Sequence, residues 1–281
     1  MKRTISFILL IIILIGSFLP AHQVTAQTTA QSLFEQMTLE ERVGQVFLVT
    51  IQGSKIEPDS PIVSLIQEKH IGGIILRRSN ENFSGPDNTV PGLQSLVTDL
   101  QTAEWETSKS PADSTSTDQF IPLMIGISQE GDGYPYDQIL NGLTPLPDQM
   151  AIGATWNTEN ARKVGIVLGR ELRALGINML LGPSLDVLDS VRSDTTDNPG
   201  VRTFGGDPFW VGEMGRAYIQ GVHEGSANHI AVIAKHFPGQ GESDRKPEEE
   251  IATVRKSLEQ LKQIELAPFF AVTGNTNGMM E

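Results

Sequence analysis

Four short segments carry side chains able to donate, accept and exchange protons: Ser128-Gln129-Glu130-Gly131-Asp132-Gly133, Gly182-Pro183-Ser184-Leu185-Asp186, Arg202-Thr203-Phe204-Gly205-Gly206-Asp207 and Lys235-His236-Phe237-Pro238-Gly239. Brought to one place, they supply a lysine, a forked arginine donor, an imidazole and several carboxylates. Vicinal hydroxyls need that mixture of donors and acceptors, a sugar ring needs apolar or aromatic faces, and acetal cleavage needs carboxylates for acid–base work. Each segment alone also has a plain structural reading. Lys235 and His236 could lie exposed at a strand end, and Arg202 could pair with Asp207 or Asp186. Asp186 could satisfy loop amides, and Glu130 and Asp132, beside glycines, could be turn formers.

The joint reading depends on the elements that hold these segments. Helical spacing over Ser32 to Val43 leads into the apolar run Val46 to Val49. Pro61 to Glu68 is followed by Ile71 to Leu76, and a helix from about Val90 to Ala103 by a polar loop over 104–119 and then Ile121 to Ile127. A long Gly- and Pro-rich loop, Gln129 to Gly153, precedes a helix at Thr158 to Ala174, with Asn157 or Thr158 as cap and Gly176 as stop. The strand Ile177 to Leu181, a helix through Met214 and Val222, the strand Ile230 to Ala234, a helix from Ser257 to Val272 and a strand opening at Gly278 complete the chain. Buried strands alternating with helices at this rhythm predict parallel βαβ units in an α/β fold of the (β/α)8 TIM-barrel type. A closed barrel has two more units than this chain supplies, so an incomplete barrel is expected, from a gene fragment or truncated product. In such a fold chemistry lies on the loops after the strands, where all four segments fall.

Composition excludes several classes. The 281 residues, 39% hydrophobic and 20% charged, are ordinary for a folded protein. A net charge of -13 disfavours nucleic acid and anionic membrane surfaces as partners. With no cysteine there is no disulfide, thiolate metal site or cysteine nucleophile. His223, His229 and His236 lack metal-ligand spacing on one element, and Asp189, Asp194 and Asp197 do not fit a calcium loop, so no metal is expected. No Walker-type glycine loop is present, and no cofactor is expected. At the N-terminus Lys2 and Arg3 precede the apolar run Ile5 to Phe18, followed by Val24-Thr25-Ala26. This predicts a secretory signal peptide over residues 1–26, with the mature region 27–281 secreted or in the cell envelope. The apolar run is short for an uncleaved span, so no integral membrane segment is expected after cleavage.

With this framework in place, the run Ala234-Lys235-His236-Phe237-Pro238-Gly239 resembles the N-terminal barrel of glycoside hydrolase family 3, especially its β-N-acetylhexosaminidase-like branch. Gly153-Ala154-Thr155, the segment Glu171 to Asn178, Gly182-Pro183-Ser184-Leu185-Asp186-Val187, Arg202-Thr203-Phe204-Gly205 and Ser257 to Leu261 support it in order. The resemblance implies an exported retaining glycosidase acting on a carbohydrate, with Arg202, Lys235 and His236 binding the sugar at the minus-one subsite and Ser128 and Asp186 as further substrate-binding candidates. It departs from the family at three points. Ser128 stands where the family has an aspartate. The family's Asp-x-His acid/base dyad falls on Lys246 and Glu248, leaving Glu248, or else Asp244 or Glu242, to act as acid/base, although Glu248-Glu249-Glu250 also reads as a solvated helix start. The family's nucleophilic aspartate follows a strand beyond Glu281, so the fragment alone is expected to be inactive. A non-catalytic carbohydrate-binding pseudoenzyme is the alternative, and an unrelated barrel binding a phosphorylated ligand a third reading.

Overall fold

The computed structural model describes residues 26–109, 120–131, 133, 137–188, 200–241, 243 and 253–281. The expected signal peptide, apart from Ala26, and the candidate acid/base residues Glu242, Asp244 and Glu248 lie outside these. The chain divides into two compact units, Met1–Thr38 and Leu39–Glu281. In the first, α1 (Ala26–Gln36) carries the pairs Gln31–Glu35 and Ser32–Gln36, bonded one turn apart at 2.7 and 3.1 Å.

The second unit alternates helix and strand: α2 (Leu39–Gly44), β1 (Leu48–Thr50), α3 (Pro61–Lys69), β2 (Gly73–Ile75), α4 (Thr89–Lys109), β3 (Met124–Ile127), α5 (Gln149–Gly153), α6 (Thr158–Ala174), β4 (Met179–Ser184), α7 (Pro208–Ser226) and β5 (Ala231–Lys235). A short α8 (Leu258–Gln260), a π turn over Leu261–Glu265, α9 (Leu266–Val272) and β6 (Gly278–Met280) follow. The strands form one parallel sheet in the order β1-β2-β3-β4-β5-β6. Strictly sequential order marks a barrel progression, because a doubly wound sheet reverses direction at a switch point. β1 and β6 are its edges, and Val46, Phe47 and Leu48 are exposed at the first of them.

The core lies between sheet and helices. Ile125, Ile127, Leu180, Val232 and Ala234 on the strands are buried with Leu93, Leu96, Leu100, Leu168, Leu172, Val211, Ile219 and Val222 on the helices. A helical glycine costs about 1 kcal/mol relative to alanine. Here four of them let α6 and α7 meet backbone to backbone: a Cβ on Gly165, Gly169, Gly221 or Gly225 would come within 2.1 to 2.4 Å of a carbonyl oxygen of the facing helix. Among the described residues no helix is long and apolar enough to cross a membrane.

Several expected boundaries move. The single helix over Ser32 to Val43 is two, α1 and α2. The polar loop expected from residue 104 begins later, since α4 continues to Lys109, where Trp105 packs edge-on against Phe120 at 5.2 Å and Lys109 lies over its ring. The helix from Ser257 starts on a full capping box with Gln260 but passes through the π turn. The loop Gln129 to Gly153 contains α5, capped by Asp148 accepting the Ala151 amide at 2.6 Å. A tertiary contact holds it, for a Cβ on Gly153 would stand 1.8 Å from the Phe204 carbonyl oxygen.

Candidate active site

The C-terminal ends of β3, β4 and β5 deliver three of the four chemical segments, and the turn Gly200–Arg202 brings the fourth. At their meeting point lies Glu130, which is 3% exposed. Arg202 grips it with two bonds, Nε to Oε2 at 2.8 Å and Nη2 to Oε1 at 3.0 Å. Lys235 Nζ pairs with Oε1 and also donates to Ser128 Oγ at 2.9 Å. Ser128 Oγ in turn donates to Glu130 at 3.3 Å. Among the described residues Arg202 thus pairs with Glu130, where its position in sequence had also allowed Asp207 or Asp186.

Burial by itself would push the Glu130 carboxyl up. The adjoining Lys235 and the Arg202 fork outweigh it and hold the group down at about 2, so it is an anion at any ordinary pH. A buried anion shared by two cations is a rigid scaffold, since losing any partner strands an uncompensated charge. Of the three Lys235 N–H donors, Glu130 and Ser128 take two, and one remains beyond these.

The loop that carries Glu130 is wrapped around Asp137, which accepts the backbone amides of Glu130 at 2.5 Å, Gly131 at 2.9 Å and Gly133 at 3.2 Å. Turn formation therefore falls to Asp137 and the positive-φ glycines Gly131 and Gly133, and Glu130 is the ionic hub. Burial pushes the Asp137 carboxyl up, with the three amides opposing.

A second cluster adjoins the first. Asp186, buried, accepts from Ser184 Oγ at 2.9 Å, from the Gln240 amide at 2.8 Å and pairs with His236 Nδ1 at 2.7 Å. Burial opposes its charge, but His236 and the other donors keep its pKa low. Both oxygens are occupied, so Asp186 fixes the His236 ring, while the His236 and Arg202 side chains keep 16% of their surface. Gln149 on α5 braces this cluster from behind, exchanging both side-chain bonds with the backbone of Ser184 at 2.8 and 3.1 Å. Beneath the turn Gly239–Gly241 lies Glu265, fully buried, with Lys256 Nζ 3.3 Å from Oε1 and the Gly241 amide 3.4 Å from Oε2. Burial raises its pKa to about 6.

Arg202, Lys235, His236, Ser128 and Asp186 therefore converge. Sequence reasoning named Glu130 only as one of several rim carboxylates or a turn former, and did not place Asp137, Gln149 or Glu265 in the site. For Glu130 a signal existed, a carboxylate after a strand aimed at the same rim as Arg202 and Lys235. Gln149 and Glu265 had none, because their partners are set by packing. Chemically, the rim offers cationic and imidazole donors on a buried anionic base, an arrangement suited to a neutral polyhydroxylated ligand.

The family described as glycosyl hydrolase family 3 N terminal domain matches residues 38–280. A β-N-acetylglucosaminidase/β-glucosidase of Cellulomonas fimi is 32% identical over 210 residues, covering 75% of this chain and 31% of that protein. A β-hexosaminidase of Thiobacillus denitrificans is 34% identical over 154 residues, 53% of this chain and 40% of its own length. The solved glycoside hydrolase family 3 β-N-acetylglucosaminidase of Paenibacillus sp. str. FPU-7 superposes with a TM-score of 0.71 at 32% identity, covering 87% of this chain and 42% of that one. The chain thus spans less than half the length of each of these proteins. Family match, sequential parallel sheet and rim residues agree: the chain belongs to glycosyl hydrolase family 3, whose N-terminal (β/α)-barrel domain it matches over residues 38–280.

Proposed function

We propose that this chain is the sugar-binding barrel of an exported, retaining β-N-acetylhexosaminidase or β-glucosidase-like enzyme. The observation that carries the reading is the convergence of Arg202, Lys235 and Ser128 on Glu130, with His236 held alongside by Asp186. In this reading Arg202, Lys235, His236 and Ser128 bond the hydroxyls of the minus-one sugar. Glu130 and Asp186 act behind them, fixing the geometry of the donors. A donor set held rigid before binding places the anomeric carbon with little ordering cost on ligand entry.

The retaining reaction breaks the glycosidic C–O bond while a carboxylate forms the C–O bond of a covalent intermediate. An acid protonates the departing oxygen, and the same group then takes a proton from the water that releases the sugar. Glu248 is our candidate acid/base, and the nucleophile is the family's aspartate on a later strand. The N-terminal segment 1–26 is read as a signal peptide, which would deliver the enzyme to cell-wall or polysaccharide turnover.

Ser128 and the residues Lys246 and Glu248 at the dyad positions favour one competing reading, a carbohydrate-binding protein without turnover. The test is hydrolysis of aryl β-N-acetylglucosaminide and β-glucoside by the full gene product, beside an Arg202→Ala/Lys235→Ala variant. Turnover abolished in the variant supports the enzyme. Sugar binding without turnover supports the binding protein, and neither binding nor turnover refutes both.

A further inference from the structure

Outside the rim cluster, the most unusual exposed feature of the second unit is a group of three aromatic rings. Trp210, part-buried against the core, forms the base. Trp156 packs on it at 5.4 Å with an interplanar angle of 89°, and Phe209 at 5.6 Å and 76°. These two outer rings are 61% and 66% exposed, although rings of this size normally seek burial.

The backbone works to display one of them. Trp156 adopts φ 50°, a left-handed conformation in which a bulky L-residue is an outlier. The turn is closed by the Trp156 amide donating to the Gly153 carbonyl at 3.0 Å. Strain of this kind persists where surrounding structure enforces it, and it points towards a use for the displayed group. Nothing in the packing of the core requires a tryptophan face in solvent.

Position links the rings to the candidate site. Trp156 lies at the entry to α6, and Phe209 and Trp210 in the first turn of α7, so all three are on the strand-end side of the sheet where the rim residues gather. The α5 helix, three residues before Trp156, abuts the Phe204 backbone in the Arg202 loop. Asn157 and Asp207 flank the rings, each with one side-chain oxygen capping its helix through the Glu159 and Trp210 amides. The patch is therefore flat aromatic surface bordered by amide and carboxylate groups, on a chain of net charge -13. That combination disfavours polyanions. It suits a neutral ligand with apolar C–H faces and hydroxyl edges.

We infer that Trp156 and Phe209, braced by Trp210, form a docking platform for the pyranose faces of a neutral β-linked glycan, separate from the residues that hold the minus-one sugar. The choice of an N-acetylated glycan as ligand rests on the glycosidase reading above. The platform would hold a polymer near the rim residues while single sugars exchange at Arg202 and Lys235.

The experiment compares the full chain with Trp156→Ala/Phe209→Ala and with Arg202→Ala/Lys235→Ala, measuring co-sedimentation with insoluble chitin and calorimetric binding of N-acetylglucosamine. The platform variant is expected to lose at least about tenfold in chitin retention and to keep its monosaccharide affinity. The rim variant is expected to show the reverse. If the platform variant melts early, Trp156→Phe, which keeps an aromatic face, should retain chitin. Chitin retention without any monosaccharide binding would leave the platform standing and remove the rim reading. No retention of the parent chain, or equal retention by the platform variant, overturns the inference. So does a change of oligomeric state with retention unaltered, which would make the patch a protein contact.

Discussion

Arg202 closes a two-bond ion pair on Glu130, at 2.8 and 3.0 Å, although 72 positions separate them in sequence. Lys235 joins the same carboxylate from a third strand end. The pair therefore fastens the rim loop that follows β4 to the end of β3, and its strength should appear in the stability of the whole domain.

Replacing Glu130 with Gln leaves two buried cations facing a neutral amide, which should cost about 3–5 kcal/mol near neutrality. The folded pKa of about 2 lies below the ordinary 4.5, so the contribution is complete above the ordinary value and fades as pH falls from there towards 2. Melting curves between neutral pH and pH 2 should show the parent chain losing its advantage over Glu130→Gln across that acid range. Parallel curves would contradict the assignment.

Asp186→Asn keeps the shape of the second cluster but removes the charge that orients His236. Binding of N-acetylglucosamine should weaken by about tenfold, near 1.4 kcal/mol, and the melting temperature should fall, because the Asn nitrogen cannot accept the bonds that one Asp186 oxygen takes. Isothermal titration of both proteins checks this. Unchanged affinity would mean that His236 does not touch the sugar.

Ser128→Asp would set a second acceptor beside Lys235, 2.9 Å from the present hydroxyl oxygen. A carboxylate accepts bonds from two hydroxyls where serine offers one weaker oxygen, so sugar affinity should rise severalfold. A fall would show that repulsion from Glu130 dominates.

On the opposite side of the fold, α4 buries Glu104 near Glu41. Burial, assisted by that neighbour, raises the Glu104 carboxyl to about 7, and its Oε2 is buried without a hydrogen-bond partner. A raised folded pKa means that stability is fully present below the ordinary 4.5 and is lost as pH climbs through 7. Glu104→Gln should therefore stabilise the domain by about 1–2 kcal/mol at pH 8, after discounting for solvent screening, and make no difference below about pH 5. Denaturant titrations at the two pH values give the comparison.

The sequence by itself determined the elements and their order. Apolar runs alternating with helical spacing and the Asn157 cap are local signals, each completed within a few residues, and the structure reproduces β3, α6 and β5 within a few positions. The motif residues Arg202, Lys235, His236, Ser128 and Asp186 were likewise legible, because the strand rhythm places them at one rim. What only the tertiary structure decided was who partners whom. Glu130 read equally as a rim carboxylate or a turn residue, and its place as the hub was decided by partners that distant segments supply. Gln149 and α5 were hidden in a loop because their brace is the backbone of Ser184, 35 positions away, and the Phe204 carbonyl. The contact of Asp186 with His236, 50 positions later, was likewise set by the tertiary structure. Short-range propensity encodes helix and strand. The pairing of buried charges depends on desolvation, which exists only once the sheet has brought those loops together and excluded water.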